Sequence, residues 1–301
     1  MFYSQKDKVR RLLFKRSCKP ILHTQPIESH GDSTTAVLTL LQHKDVLMFL
    51  VAIKSFARKI PLRNVYILND GSLTEKDKLT LSSHIKPVEF LELSQVSNEH
   101  CPKGSCWERL LAIAARVADQ YIVQLDADTV TLGAIDEVAK LIDDNQSFVI
   151  GTWDGQTIEP MQVSSERIQT NVNPQLDGHV QMVAEAAFDQ LDECKNLKYV
   201  RGCAGFSGFA KGSFNTHFVE DFSLNMERLI GKKWNEWGSE QVMSNVVVAN
   251  TPAAGVLPHP KYSDCANISQ SETTFIHFVG SCRFQGKCYS NAVNHAITHL
   301  L

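Results

Sequence analysis

Asp126 and Asp128 close the run Tyr121-Ile-Val-Gln-Leu-Asp-Ala-Asp128 and are the side chains here best placed for chemistry. The run before them is apolar apart from Gln124, with β-branched Ile122 and Val123 adjacent, and reads as a buried strand. Carboxylates at the carboxyl end of a buried strand lie where open α/β sheets place their ligands. Two residues apart, they can share one divalent cation, directly or through its waters. A cation held in that way takes phosphate oxygens at its free positions. The plain alternative is that both are turn residues at a strand end, as a lone Asp-x-Asp often is.

Four further stretches carry residues of the right types. Asn69-Asp70-Gly71-Ser72 is a turn at the end of an earlier strand, on the sheet edge that meets ligands. Arg109, in Trp107-Glu108-Arg109-Leu110, offers a fixed charge to a phosphate, or else pairs with Glu108 or a later acid. Cys203–Gly212 is rich in glycine and aromatic residues. Its small residues let backbone approach a ligand, or mark a tight strand bend. His277-Phe-Val-Gly280-Ser-Cys-Arg283 supplies a metal-binding imidazole, a turn and a cation, although a lone His is more often structural.

These residues need elements to hold them. Ala36–Leu41, Asn64–Leu68, Val88–Leu93 and Tyr121–Leu125 read as buried strands, and Val46–Lys59, Glu75–Ser83 and Trp107–Asp119 as the helices between them. Asp45 is a candidate N-cap for the first of these helices. Such alternation predicts an α/β fold with a doubly wound, mostly parallel sheet. Asp136–Ile142 continues it as a helix and Ser147–Gly151 as a strand, ending in Thr152-Trp153-Asp154-Gly155. The pattern then breaks. Residues 156–178 are polar and irregular, as in a lid or binding loop. Val180–Leu191 and Phe218–Ile230 read as helices, Trp234–Gln241 leads into Val242–Asn250, and Thr274–Val279 reads as a late strand. Residues 1–35 form a basic N-terminal segment and linker. Residues 36–301 are expected to form a single domain in two halves, 36–155 and 156–301.

Composition narrows the function classes. Hydrophobic residues are 43% and charged residues 21% of 301, as in ordinary globular chains, and a net charge of −3 gives no field to attract nucleic acid. No apolar run approaches the roughly 20 residues of a membrane span, and charges interrupt any signal-peptide core at the N-terminus. Residues 6–19 are basic with interleaved Val9, Leu12, Leu13 and Phe14. They form either an amphipathic helix touching an anionic membrane or a helix packed on the domain. The eight cysteines offer loose pairs only, Cys101/Cys106 and Cys282/Cys288, without zinc-site spacing. Reduced thiols and a cytoplasmic location are expected, though spacing does not exclude a bridge.

Together these stretches resemble the metal-dependent GT-A nucleotide-sugar glycosyltransferases, in particular the retaining branch related to glycogenin and the galactosyl- and glucosyltransferases of lipopolysaccharide. The resemblance rests on Tyr121–Asp128, Arg109 on the preceding helix, Cys203–Gly208, Glu240-Gln241-Val-Met-Ser-Asn245 and His277-Phe-Val-Gly280-Ser-Cys-Arg283, and spans Ala36 to Arg283. Arg283 stands where that branch has Lys, no Pro-Trp follows it, and Glu240 stands where Asp is usual. Trp237-Gly-Ser-Glu240-Gln241 also resembles the Trp-Gly-x-Glu-Asp element of inverting galactosyltransferases, with Gln241 in place of their catalytic acid.

The resemblance implies a UDP-sugar donor, Mn²⁺ or Mg²⁺ held by Asp126, Asp128 and His277, and a glycan, lipid-linked or protein acceptor. It also implies that 36–155 is the nucleotide-binding half and 156–301 the acceptor and metal-His half, that Arg283 and Lys287 neutralise phosphate, that Asp70 sits near the base or ribose, and that Asp154 and Gln241 face sugar and acceptor. Retention needs no separate base. Inversion needs one, with Glu240 the first candidate and Asp154 the second. Gln241 cannot act as a base, which points to retention. Two other readings are a sugar-nucleotide pyrophosphorylase and a non-catalytic nucleotide-sugar-binding protein. The first lacks a glycine-rich loop at Gln42–Asp45; against the second stand the intact Asp126, Asp128 and His277.

Overall fold

A computed structural model describes residues 2–172 and 178–301, with side chains from Arg10 onward except Ser281. In chain order the first elements are α1 (Phe2–Cys18), β1 (Thr35–Leu41), α2 (Val46–Ala57), β2 (Asn64–Asn69), α3 (Glu75–His84) and β3 (Val88–Glu92). There follow α4 (Trp107–Ala114), β4 (Tyr121–Leu125), β5 (Thr129–Thr131), α5 (Asp136–Asp143) and β6 (Phe148–Gly151). Then come α6 (Met161–Asn171), α7 (Val180–Ala187), β7 (Gly202–Phe209), α8 (Thr216–Ile230), α9 (Ser239–Ala249) and β8 (Gly255–Leu257). β9 (Tyr262–Asp264), β10 (Phe275–His277) and α10 (Cys288–Thr298) complete the chain. The chain forms two compact units, one of residues 1–92, 124–139 and 258–301, the other of 93–123 and 140–257.

In the first unit β1, β2 and β3 run parallel, with Leu41 opposite Asn69 and Asn69 opposite Glu92. β1 is buried along almost its whole length. This fits a strand covered on both faces, which parallel sheets require. α2 is apolar nearly all round and deeply buried, as a helix inside a core must be. α3 opens with a capping box in which the Thr74 side chain accepts from Asp77 N and the Asp77 carboxylate accepts from Thr74 N. A small second sheet joins β9, β10 and β5. β9 runs parallel to β10, and β10 antiparallel to β5.

Residues 24–35 are tied down rather than running as a free linker. Ile27–Glu28 pairs in parallel with Ile85–Lys86. Lys54, wholly buried on α2, donates to Thr24 Oγ1 at 2.8 Å and Gln25 O at 2.7 Å and meets His84 Nδ1 at 2.9 Å. Phe14 of α1 packs on Tyr289 and Phe284, with ring centroids 4.1 and 5.3 Å apart.

In the second unit β8 runs parallel to β6, and β7 antiparallel to it. The glycine-rich run expected as a ligand approach or a bend is β7 itself. A Cβ on Gly208 would stand 2.3 Å from both Phe148 Cε1 and Tyr121 Oη, so this glycine serves packing. Residues 156–178 are also more regular than expected, because α6 occupies Met161–Asn171; residues 173–177 of that stretch lie outside the described residues. Trp107 and Trp234 pack edge to face at 5.7 Å. Their indole N–H groups donate to Ser239 Oγ at 2.8 Å and Ser223 Oγ at 3.1 Å, as buried indoles require.

Candidate active site

β4 is buried throughout and delivers the chain to Asp126-Ala127-Asp128. β5 starts immediately after, and its antiparallel register sets His277 opposite Thr129. That register brings an imidazole from the end of the chain beside the two carboxylates. Phe278 N donates to Asp128 O at 2.8 Å, and Thr129 Oγ1 donates to Asp126 O at 2.9 Å. His277 Nε2 lies 3.2 Å from Asp128 Oδ1 and 3.7 Å from Asp126 Oδ2. One donor atom from each of the three side chains falls within 4.8 Å of the others.

Asp128 and His277 are each only 5% exposed. Burial alone would push the Asp128 carboxyl up. The charge and hydrogen bond of His277, and then the charge of Arg283, outweigh burial and hold it below its ordinary value. Arg283 ion-pairs with the Asp128 carboxylate through Nη2, while its Nε donates to Phe278 O at 2.9 Å. Asp45 joins this electrostatic neighbourhood. Burial raises its carboxyl above the ordinary value; Lys44 and Arg283 oppose that, and Asp128 adds to it. Asp45 occupies the N-cap position of α2 as expected, but its side chain makes no capping bond. Its field on Asp128 and Arg283 had no local signal in the sequence, because it depends on the distant segments that meet there.

Two carboxylates and one imidazole form an oxygen-rich donor set that fits a hard divalent cation, with the nitrogen favouring Mn²⁺ over Mg²⁺. Asp70 lies in the same unit, its Oδ1 accepting from Ser72 N at 2.9 Å and Ser72 Oγ at 2.6 Å in a turn. Lys287 is exposed at the start of α10. The expectation of wholly reduced thiols fails in this unit. Cys265 and Cys282 form a disulfide with Cα atoms 5.9 Å apart. Neither loose pair noted in the sequence is the one that forms, because the pairing of β9 with β10, not spacing, carries Cys265 beside the turn that holds Cys282.

The remaining sequence-predicted residues belong to the second unit. Arg109 is buried and directs Nη2 at the Glu240 carboxylate, 3.2 and 3.3 Å from its two oxygens. Ser244 Oγ donates to the same carboxylate at 3.2 Å. The later acid allowed as a partner for Arg109 is thus Glu240, in the interior rather than at the surface. Gln241 Nε2 donates to Gln181 Oε1 at 3.3 Å, and its Oε1 accepts from Ala204 N at 3.4 Å. Asp154 is exposed in the turn after β6. A second buried carboxylate, Glu185, accepts from Tyr199 Oη and from Arg201 Nε, each at 2.9 Å.

Among known proteins the chain matches no protein-family profile and no curated sequence. It does resemble solved structures. The apo structure of WbbM, a bifunctional glycosyltransferase, aligns with a TM-score of 0.52 at 13% identity, over 91% of this chain and 51% of that one. The chain therefore spans about half the length of WbbM. Mouse xyloside xylosyltransferase 1 aligns at 0.47 with 13% identity, over 86% of this chain and 100% of that one. The galactosyltransferase LgtC, with donor and acceptor sugar analogues, aligns at 0.42 with 9% identity, over 88% and 96%. At such identities the likeness to WbbM is one of fold. The α/β fold expected from the sequence is the fold found, and no helix among the described residues is long and apolar enough to cross a membrane.

Proposed function

We propose that this chain is a metal-dependent GT-A glycosyltransferase that moves a sugar from a UDP-sugar to a hydroxyl acceptor with retention. The observation that carries the reading is the cluster of Asp126, Asp128 and His277 at the carboxyl end of β4, in a fold shared with WbbM. A divalent cation bound by these three side chains supplies positive charge for the departing nucleoside diphosphate. Arg283, already fixed beside Asp128, adds a charge for a phosphate oxygen, and Lys287 adds a mobile one. Asp70 keeps the nucleotide-facing role, and Asp154 and Gln241 the sugar- and acceptor-facing roles, that the family resemblance implies, whereas Arg109 acts through its buried pairing with Glu240. The buried pairing of Glu240 with Arg109 supports retention over inversion, because a carboxylate already engaged by a guanidinium is a poor general base.

The acceptor is a hydroxyl of a glycan, a lipid-linked sugar or a protein. A lipid-linked acceptor fits α1, whose Leu12 and Leu13 are exposed among Arg10, Arg11, Lys15 and Arg16. Phe14 and Cys18 of the same helix are buried, which supports packing on the domain as well.

The test is release of free UDP from a panel of UDP-sugars, with Mn²⁺, with chelator and in Asp128→Asn. Release from one sugar that disappears with chelator and in the variant is the expected result. Failure of every UDP-sugar to bind, measured by calorimetry in the same buffer, would sink the proposal.

A further inference from the structure

We infer that the Cys265–Cys282 disulfide is the clamp that holds His277 and Arg283 at Asp128, and that its reduction by a dithiol loosens the nucleotide-binding end of the site. This rests on the metal-site reading above and goes beyond it, because it assigns a positioning role and a chemical control to a bridge outside the donor set.

The bridge joins residues 17 apart, and the loop it closes contains His277. Cys265 follows Asp264, the residue paired with His277 across β9 and β10, and Cys265 N donates to His277 O at 3.2 Å. Cys282 immediately precedes Arg283. One covalent link thus fixes the strand end that carries the imidazole and the turn that carries the guanidinium. Besides the bridge, Gln285 N donates to Cys282 O at 3.1 Å and Arg283 pairs with Asp128. Between β10 and α10 the chain forms only a single 3₁₀ turn at Gly280–Cys282, entered through Gly280 at φ +49°. Its near anchor is the Arg283 Nε bond to Phe278 O at 2.9 Å. On its far side Phe284 meets Phe14. With the bridge open, Arg283 keeps its bond to Phe278 O, its ion pair with Asp128 and the Phe284 packing after it, but loses the covalent tie at the residue immediately before it. A 17-residue loop regains its freedom at the same time.

The chemistry is an ordinary exchange. A thiolate of the dithiol attacks one sulfur of the bridge and the other sulfur leaves as a thiolate. The second thiol of the reagent then resolves the mixed disulfide, so the chain gains two electrons and two protons and the dithiol becomes a cyclic disulfide. Cys265 and Cys282 are both half-buried, so a small dithiol can reach them. The six other described cysteines lie outside this bridge as thiols.

The experiment compares the oxidised chain, the chain treated with dithiothreitol and freed of it anaerobically, and Cys265→Ser/Cys282→Ser. Affinity for UDP with Mn²⁺ is read by calorimetry, and amide hydrogen exchange is read across residues 277–283. The expected result is affinity about tenfold lower in the reduced chain and in the variant, the scale of losing a partner that orients metal ligands. Exchange across 277–283 should be faster in both, recovery should follow reoxidation, and the variant should be indifferent to dithiothreitol. Equal affinity and equal exchange in oxidised and reduced wild-type chain would overturn the inference. If the oxidised chain binds no UDP with Mn²⁺, the functional reading fails separately. Exchange then decides the clamp alone, and unchanged rates at 277–283 would refute it. The reversible wild-type comparison keeps the test valid even if the variant folds poorly.

Discussion

At the scale of single residues, Asp128 is the side chain on which most converges. It is buried, it faces His277 at 3.2 Å, and its other oxygen is taken by Arg283. Asp128→Asn removes the charge that both of these side chains face, and Mn²⁺-dependent UDP release should fall by more than about 100-fold, beyond the 10–100-fold typical of outer-shell partners. Arg283 has a double effect that a calorimeter can separate. Its guanidinium neutralises a carboxylate that a divalent cation needs, and it offers charge to a phosphate. Arg283→Met should therefore raise affinity for Mn²⁺ alone and lower affinity for UDP in the presence of Mn²⁺ by about tenfold, the lower end of what a charged hydrogen bond contributes. Equal losses in both titrations would mean that Arg283 merely supports the fold. The acid pair was legible in the sequence because a buried strand ending in Asp-x-Asp is a local pattern. The partner of Arg109 was not, since Glu240 lies 131 residues away and nothing in either helix names the other.

At the scale of elements, the β/α alternation was readable because strands covered on both faces appear as apolar runs. α6 was not. Its buried face is Met161, Ser164, Ser165 and Ile168, too polar to show a helical period. The glycines of β7 were visible, but their reason was not, because Phe148 and Tyr121 reach Gly208 only in the folded sheet. Gly208→Ala should cost about 1–3 kcal/mol by overpacking, read as a lower midpoint in urea with an unchanged slope. The strap of residues 24–28 leads to a prediction in pH. Burial lowers the Lys54 amine from 10.5 to about 8, and burial, then the Lys54 charge, lowers the His84 imidazole. Below pH 8 the amine is charged in both folded and unfolded chains, and the folded chain bears the full cost of burying it. Between about 8 and 10.5 the unfolded chain holds the proton more tightly, so folding stability contributed by this site rises with pH. The difference in Tm between wild type and Lys54→Met should therefore shift in favour of wild type from pH 7 to pH 10. A constant difference would mean that the amine keeps its ordinary proton affinity in the fold.

At the scale of the whole molecule, α1 sets surface behaviour. Leu12 and Leu13 are 64% and 55% exposed and flanked by cations. Vesicles containing phosphatidylserine should bind the chain, neutral vesicles should bind it weakly, and Leu12→Ser/Leu13→Ser should reduce binding in a sedimentation assay by at least about tenfold, given roughly 0.8 kcal/mol per buried methylene. Indifference to lipid charge and to the variant would leave α1 as a packed terminal helix only. One further consequence belongs to the order in which a ribosome delivers the chain. β4 and the acid pair emerge first, and His277 and Arg283, the imidazole and guanidinium beside Asp128, follow some 150 residues later. Until then a nascent first unit that collapses must bury Asp128 without those partners, which is costly, or leave its β4 edge wet and open. Through that long interval the most chemically valuable corner of the fold lacks the partners that make burial of its carboxylate tolerable.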